Sequence, residues 1–553
     1  MTWNLTAMMC LIWALTLLYG EMFAFWVPSV FTCSWPHLSS KIKRIEYPDD
    51  FVKVAVLADP QLMDRTSLSV APKSLALEIA QFYTDVYMRR AFLASVLPFE
   101  PDVILFLGDY FDGGPYLSDE EWQESLSRLR HIFDLDTLDS VKHIKVYHLP
   151  GNHDVGYSAL HSHMPQTLPS NPSSKQWVEH LPTQSLHPNK VFSRYENVFG
   201  TRNYQFKVGG LDFIAIDAQT LDGHPQRDST SATWKFVKNV SMDSSSVPRV
   251  LLSHIPLYRS SDTSCGPYRS SNIINQRVRR DDLGEDILYQ NYISEEKTES
   301  LLDSVRPVFV LSGHDHDQCT VTHTSKYGPV TEQTLGTISW QQGNLYPSFM
   351  LLSAWNHSFP NATIGKDAVL THLCFLPLQT HIYIWYLCQF VLTLLLALFW
   401  PTSGVSILGH VDFTGYIRSV ISCNIFKGSK EKVDEENCEY DMVWDAEGSM
   451  HLVKRMIKAA VSSNENGATE RGNAVMRSAA KKQLMQDTDV LMPSDVSVHV
   501  PTDTSTKIAP RINKSKANMA IRRIIRTIRV ITVVAAVNLP IYMILLFKDW
   551  IDK

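Results

Sequence analysis

A chain of 553 residues with 44% hydrophobic content is long enough to bury one large core and to carry accessory segments beside it. Its formal net charge is -6, and its basic clusters sit beside apolar runs or among acidic residues, which argues against a nucleic-acid partner. Eight cysteines show no CxxC or other zinc-ligand spacing. Cys265 and Cys319 can pair if their region lies in an oxidising compartment.

The first predicted element is an apolar run over residues 3–27, interrupted by Glu21 and long enough to cross a bilayer. No basic start precedes it and no clear small-residue cleavage site follows, which favours an uncleaved anchor over a signal peptide. A globular pattern holds over residues 50–375. Its first strand contains Val52, Val54, Val56 and Leu57 and ends in Asp59-Pro60-Gln61. An amphipathic helix is expected from about Lys73 to Leu97, then a strand, Val103 to Leu107, ending in Gly108-Asp109-Tyr110-Phe111-Asp112. A second helix, Asp119 to Phe133, leads to the run Ile144 to Leu149 and into Pro150-Gly151-Asn152-His153-Asp154. This alternation implies parallel strands with right-handed crossovers, in an α/β domain whose ligands bind at the carboxyl ends of the strands.

Next, Tyr204 to Val208 and Leu211 to Ile216 flank Gly209-Gly210 and read as a β-hairpin. Val250 to Leu252 ends in Ser253-His254, and Val308 to Leu311 precedes Gly313-His314-Asp315-His316. Between these two strands lies a polar insertion with Tyr258, Arg259, Tyr268, Arg269, Arg279 and Arg280. It reads either as a clamp for a phosphorylated sugar or as a solvated loop whose arginines pair with Asp281, Asp282 and Glu285. Tyr110, Phe111 and Tyr116 read either as pocket walls or as core aromatics.

Two further apolar runs, residues 382–400 and 530–547, are long enough to span a membrane. The segment between them, 402–525, has the composition of a largely disordered loop. Arg522, Arg523, Arg526 and Arg529 crowd the entrance of the last span and predict that this loop is cytosolic, which puts the 50–375 region on the lumenal side. Lys41, Lys43 and Arg44 oppose that orientation but are the weaker cluster. Asn239, Asn356 and Asn361 begin sequons in the region read as lumenal.

Taken singly, a strand-end Asp reads as a cap and a buried His as a satisfied core residue. Five strand tips in succession, supplying Asp59, Asp109, Asn152, His254, His314 and His316, instead make a mixed oxygen and nitrogen set suited to divalent first-row metals. The set exceeds one ion's needs and suits two ions about 3.5 to 4 Å apart that share a carboxylate.

The succession DxQ, GDxxD, GNHD, SH and GHxH, over about residues 51–355, resembles the calcineurin-like metallophosphoesterase superfamily. That resemblance implies a four-layer α/β fold, a β-sandwich flanked by helices, with a two-metal centre. It implies that Asp59 and His316 bind one divalent ion, that Asn152, His254 and His314 bind the other, and that Asp109 bridges them. It further implies that His153 assists the leaving group and that Asp112 orients His153. Gln61 stands where the usual motif has His; as a ligand, or as a place left to water, it tilts preference towards manganese. The DPQ variant with flanking spans is similar to a narrower branch, the membrane-anchored manganese-dependent phosphoesterases that remove ethanolamine phosphate from glycosylphosphatidylinositol (GPI) mannose. The implied partners are the membrane and a GPI-anchored glycolipid or protein substrate, in the endoplasmic reticulum or Golgi with the catalytic domain lumenal. Two other readings stay open: a metallophosphoesterase acting on a different lipid, nucleotide or phosphoprotein, and a non-catalytic manganese-sensing or trafficking scaffold.

Overall fold

The computed structural model describes residues 5–36, 51–157, 188–243, 247–356, 368–400, 439–444, 450–455 and 514–551, apart from 69, 72, 272, 281–285 and 344. A helical run, α1 (Leu5–Thr32), opens the chain. Then follow β1 (Phe51–Leu57), α2 (Leu75–Arg90), β2 (Val103–Phe106), α3 (Asp119–Ile132), β3 (Lys145–His148), α4 (Pro188–Phe199), β4 (Tyr204–Val208), β5 (Leu211–Ile216), α5 (Asp228–Met242) and β6 (Arg249–Ser253). After them come β7 (Val278–Arg280), β8 (Ile287–Gln290), α6 (Glu295–Val305), β9 (Pro307–Ser312), β10 (Cys319–Ser325), β11 (Gly328–Thr334), β12 (Ser348–Trp355), β13 (Val369–Phe375), α7 (Gln379–Phe399) and α8 (Lys514–Phe547).

The two large sheets are ordered β13-β12-β1-β2-β3 and β10-β11-β9-β6-β5-β4, and β7 pairs with β8 in a small one of its own. Period-two alternation along the strands decides what each face buries. Val54, Val56, Val103 and Leu105 face the second sheet and meet Phe213, Val250, Leu252 and Leu311 in a core between the sheets. Their neighbours Ala55, Leu57, Ile104 and Phe106 point the other way, onto Tyr87 and Met88 of α2 and Leu126 and Leu129 of α3. On the outer face of the second sheet, Ile214, Ile216, Leu251 and Val310 pack on Val237 and Val240 of α5 and Leu301 and Leu302 of α6. The layers are therefore helix, sheet, sheet, helix, in a mixed α/β fold. Strands β1, β2 and β3 are parallel, as are β5, β6 and β9. The β4–β5 hairpin is antiparallel, with Val208 paired to Leu211.

Helix α2 begins at Leu75, where Ser74 caps the N-terminus by accepting from Leu77 N, and passes into a π turn at Ala91–Val96. Helix α3 starts on a capping box formed by Ser118 and Glu121.

Among the described residues, three helices are long and apolar enough to cross a membrane: Leu5–Thr32, Gln379–Phe399 and Asn518–Phe547. The first and last exceed the apolar runs read from sequence, because helix geometry continues through Pro28 at one end and through the arginine cluster at the other. Glu21, the one acid in the first of them, is buried against Arg90 of α2 and accepts a hydrogen bond from Tyr386 of α7 (2.9 Å). Among the described residues two disulfides form: Cys265–Cys319, which the sequence allows, and Cys33–Cys374, which nothing in the sequence singles out.

Within the segment read as a largely disordered loop, Glu439–Trp444 and Met450–Arg455 pair as antiparallel strands. This hairpin belongs to a unit of its own. The rest of the loop up to Lys514 lies outside the described residues, as does Asn361.

Candidate metal centre

The tips of β1, β2 and β9 leave their sheets through left-handed backbone. Ten non-glycine described residues have positive φ, and five of them are here: Asp59 (49°), Gln61 (38°), Asp109 (55°), His314 (67°) and His316 (55°). Each costs on the order of 1–3 kcal/mol, and their concentration in one place marks a functional site. Two glycines make the approach possible. A Cβ on Gly108 (φ +99°) would lie 2.7 Å from His254 Nδ1, and one on Gly151 would lie 1.9 Å from Asp109 Oδ1.

The loops after β2 and β3 are fastened together by Asp154. Its Oδ2 accepts from the main-chain N–H of Asp109 and of Gly151, both at 2.8 Å. Its Oδ1 accepts from Tyr110 N at 2.8 Å and Phe111 N at 3.3 Å. The sequence reading placed Asp154 at the mouth of its loop without a role. The signal was present in its position, since a carboxylate three residues after Gly151 can accept from that residue's own N–H.

With the loops so held, one ligand atom each from Asp109, His254 and His314 lie within 4.8 Å of one another, and so do those from Asp59, Asp109 and His316. Asp109 is common to both groups. Asp59, Asp109, Asn152 and His254 are completely buried. His254 donates from Nδ1 to the carbonyl of Leu107 (2.7 Å), and its Nε2 faces Asp109 Oδ2 (3.2 Å) and Asn152 Oδ1 (3.1 Å). His314 donates from Nε2 to the carbonyl of Gln290 (3.0 Å), while its main-chain N–H reaches both oxygens of Asp59 at 3.1 Å. Each of these imidazoles thus spends one nitrogen on a main-chain carbonyl and keeps the other for a cation. Gln61, buried, turns its amide nitrogen to Asp109 Oδ2 at 3.2 Å, which makes it a partner of that carboxylate.

Electrostatics test whether the pocket suits a cation. Burial pushes the Asp59 carboxyl up to about 8, against the opposing charge of His254. Burial works to raise Asp109 as well, but His254 and His153 outweigh it and hold Asp109 well below the usual carboxylate range. Burial alone would lower His254; Asp109 and Asp59 raise it to about 9. His316 is lowered to about 4 by burial, and burial also lowers His314. Protons cannot satisfy such a set uniformly: the carboxylates favour one on His254, while burial and the neighbouring imidazoles resist one on His314 and on His316. A divalent cation neutralises the carboxylates and takes the imidazole lone pairs at once, so these residues fit a divalent metal site.

His153 stands at the rim. Its N–H donates to Asp109 Oδ1 (2.9 Å), and its Nδ1 donates to the main-chain carbonyl of Asp112, whose carboxylate is 3.6 Å away. Burial lowers this imidazole's pKa, but Asp109 and then Asp112 prevail and the net direction is up. The rest of the loop faces inward: Tyr110 stacks on Phe199 (4.7 Å) and Phe111 meets Trp122 edge-on (5.6 Å). Both are core aromatics. Tyr116 is half-buried, and its carbonyl accepts from Arg65.

Neither reading of the insertion's arginines holds for Arg259 and Arg269. Both turn inward onto Asp315, at 3.4 and 2.6 Å. Arg279 and Arg280 are exposed on β7, and Asp281, Asp282 and Glu285 lie outside the described residues. Tyr268 is exposed and packs on Phe375 at 4.8 Å.

Residues 52–318 match the calcineurin-like phosphoesterase family. Cell division control protein 1 of Saccharomyces cerevisiae is 27% identical over 59% of this chain and 61% of its own length, so the chain spans less than two thirds of that relative. Metallophosphoesterase 1 homolog of Drosophila melanogaster is 26% identical over 66% of this chain and 85% of its own. Metallophosphoesterase 1 of Mus musculus is 25% identical over 66% and 81%. With two facing sheets whose tips bury a shared aspartate among imidazoles, residues 52–318 carry a calcineurin-like phosphoesterase domain, whose match and whose relatives' names support a metal-dependent phosphoester hydrolase.

Proposed function

We propose that this protein is a membrane-tethered phosphodiesterase that binds two divalent cations, manganese in the first place, and removes ethanolamine phosphate from a GPI-anchor mannose. The observation that carries the reading is the sharing of Asp109 by two donor groups beside the half-buried His153. Asp59 and His316 would hold one cation, Asn152, His254 and His314 the other, and Asp109 would serve both. When bound, such a pair lowers the pKa of water and neutralises phosphoryl oxygens. Gln61 braces Asp109 where the usual motif has an imidazole, which favours a harder ion. His153 is fixed at Nδ1 by the Asp112 carbonyl, and the Asp109 and Asp112 carboxylates keep it protonated. Its Nε2 proton passes to the departing sugar oxygen, which is a poor leaving group as an alkoxide.

A substrate resident in the bilayer is supported by how little separates the centre from a membrane helix. Gln341 donates to the Gln61 carbonyl (3.2 Å), and the adjacent Trp340 meets Tyr383 of α7 edge-on at 5.9 Å. Tethering beside such a substrate raises its effective concentration. Two disulfides in the domain favour an oxidising lumen, of the endoplasmic reticulum or Golgi, and agree with the orientation that the arginines of α8 favour.

The test is release of ethanolamine phosphate from a purified GPI glycan by the detergent-solubilised full chain with Mn2+, with Asp109→Ala as control. Release that vanishes in the variant is expected. Cleavage of an aryl phosphodiester with the GPI glycan untouched overturns the substrate and leaves the hydrolase.

A further inference from the structure

Asp315 lies between two histidines of the centre, and its carboxylate is held by a cage of donors supplied by the insertion between β6 and α6. Arg269 donates to it from Nη1 (2.6 Å) and Nη2 (3.3 Å), Arg259 from Nη1 (3.4 Å), and the hydroxyl of Tyr292 from 3.1 Å. The Arg259 side chain is fully buried, bridges to Glu332 (3.4 Å) and lies over the Tyr292 ring. Glu332 is anchored in turn by the Ser312 hydroxyl (2.6 Å), Leu257 N (3.1 Å) and His323 (2.8 Å). One residue beyond His316, Asp317 accepts from the main-chain N–H of Ser270 at 2.8 Å. Cys265–Cys319 then joins the same insertion covalently to the first residue of β10. The main-chain carbonyl of Gln290, at the end of β8, accepts a hydrogen bond from His314 Nε2. Every residue from His314 to Asp317 except His316 is thus bonded to the insertion.

This convergence has a physical purpose. His314 and His316 both occupy left-handed backbone, a conformation that a free loop of L residues leaves readily. A carboxylate gripped by two guanidinium groups and a phenol prevents that relaxation.

We propose that the insertion is an internal clamp on the His314–His316 loop: Arg259, Arg269 and Tyr292 are positioning residues that hold Asp315 and so fix two imidazoles for cation binding. The clamp rests on the reading of His314 and His316 as cation ligands.

The test is calorimetric titration of the detergent-solubilised full chain with Mn2+ alone. Partners one bond removed from ligands typically contribute 10–100-fold to affinity. Arg269→Met is expected to weaken Mn2+ binding about 10-fold or more on that scale, and Arg269→Lys to recover part of the loss. Tyr292→Phe, which removes one oxygen and leaves the packing, is expected to weaken it several-fold. The double variant should lose less than the product of the two singles, because both act through one carboxylate. Wild-type affinity in both Arg269→Met and Tyr292→Phe overturns the clamp while the metal reading stands. A wild-type chain that binds no Mn2+ overturns the metal reading itself.

Discussion

Replacing Asp154 with Asn isolates the fastening of the two loops from the chemistry, because Asp154 bonds only to main-chain N–H groups. Its two oxygens each accept a pair of them: Asp109 and Gly151 on Oδ2, Tyr110 and Phe111 on Oδ1. An amide in the same place has one oxygen and one NH2. Whichever way it turns, two buried donors face another donor. Each buried donor left without an acceptor costs about 1–3 kcal/mol, so the variant should lose roughly 2–6 kcal/mol, a large share of a typical domain's stability. The fitting comparison is Asp112→Asn. Its carboxylate is 3.6 Å from His153 while the firm bond comes from its main-chain carbonyl, so that variant should stay within about 0.5 kcal/mol of wild type. Thermal and denaturant unfolding of the solubilised chain, followed by near-ultraviolet circular dichroism, gives both values. Equal stability of Asp154→Asn and wild type would refute the reasoning, as would equal losses in the two variants.

The same Asp112→Asn change should move the alkaline limb of the activity to lower pH, since one of the charges that raise His153 is gone; a pH–rate profile that does not shift contradicts this. Glu332 is held at about 2, burial notwithstanding, by Arg259 and His323, against an ordinary value of 4.5. Its depressed pKa contributes stability above pH 4.5 that is lost as pH falls towards 2, worth about 3 kcal/mol at 1.36 kcal/mol per unit. Unfolding measured across that window should therefore flatten in Glu332→Gln, and an unchanged slope speaks against the pairing. Removing the Cys265–Cys319 bridge with paired serines opens a loop spanning 54 residues; the chain-entropy relation gives a loss of about 4 kcal/mol. Mn2+ affinity should fall with it, and Mn2+ binding unaffected by the serine pair counts against the bridge as part of the clamp.

The strand tips are legible in the sequence for a physical reason: each motif directly follows a short apolar run, and parallel strands gather their carboxyl ends at one edge of the sheet. The parallel order of β1, β2 and β3 follows from their intervening helices, and the β4–β5 hairpin from Gly209-Gly210. What pairs across long separations is not legible. Arg259 and Arg269 find Asp315 across 56 and 46 residues, and nothing in their neighbourhood distinguishes that partner from a phosphate or from the nearer acids. Cys33 and Cys374 are 341 residues apart and adjoin two different apolar runs. Tyr110 and Phe111 stand in a motif loop, but the loop's turn aims them into the core, a direction that composition does not encode. Gln61 is visible as a departure from its motif, while its hydrogen bond to Asp109 needs the left-handed turn at both residues.

The most direct test of the account is the number of Mn2+ ions bound per chain, measured together with hydrolysis of an aryl phosphodiester, in wild type and in Asp109→Ala. Two ions and hydrolysis in the wild type, with both lost in the variant, is the predicted result. A single ion, or hydrolysis that survives without Asp109, would contradict a centre built on one shared carboxylate.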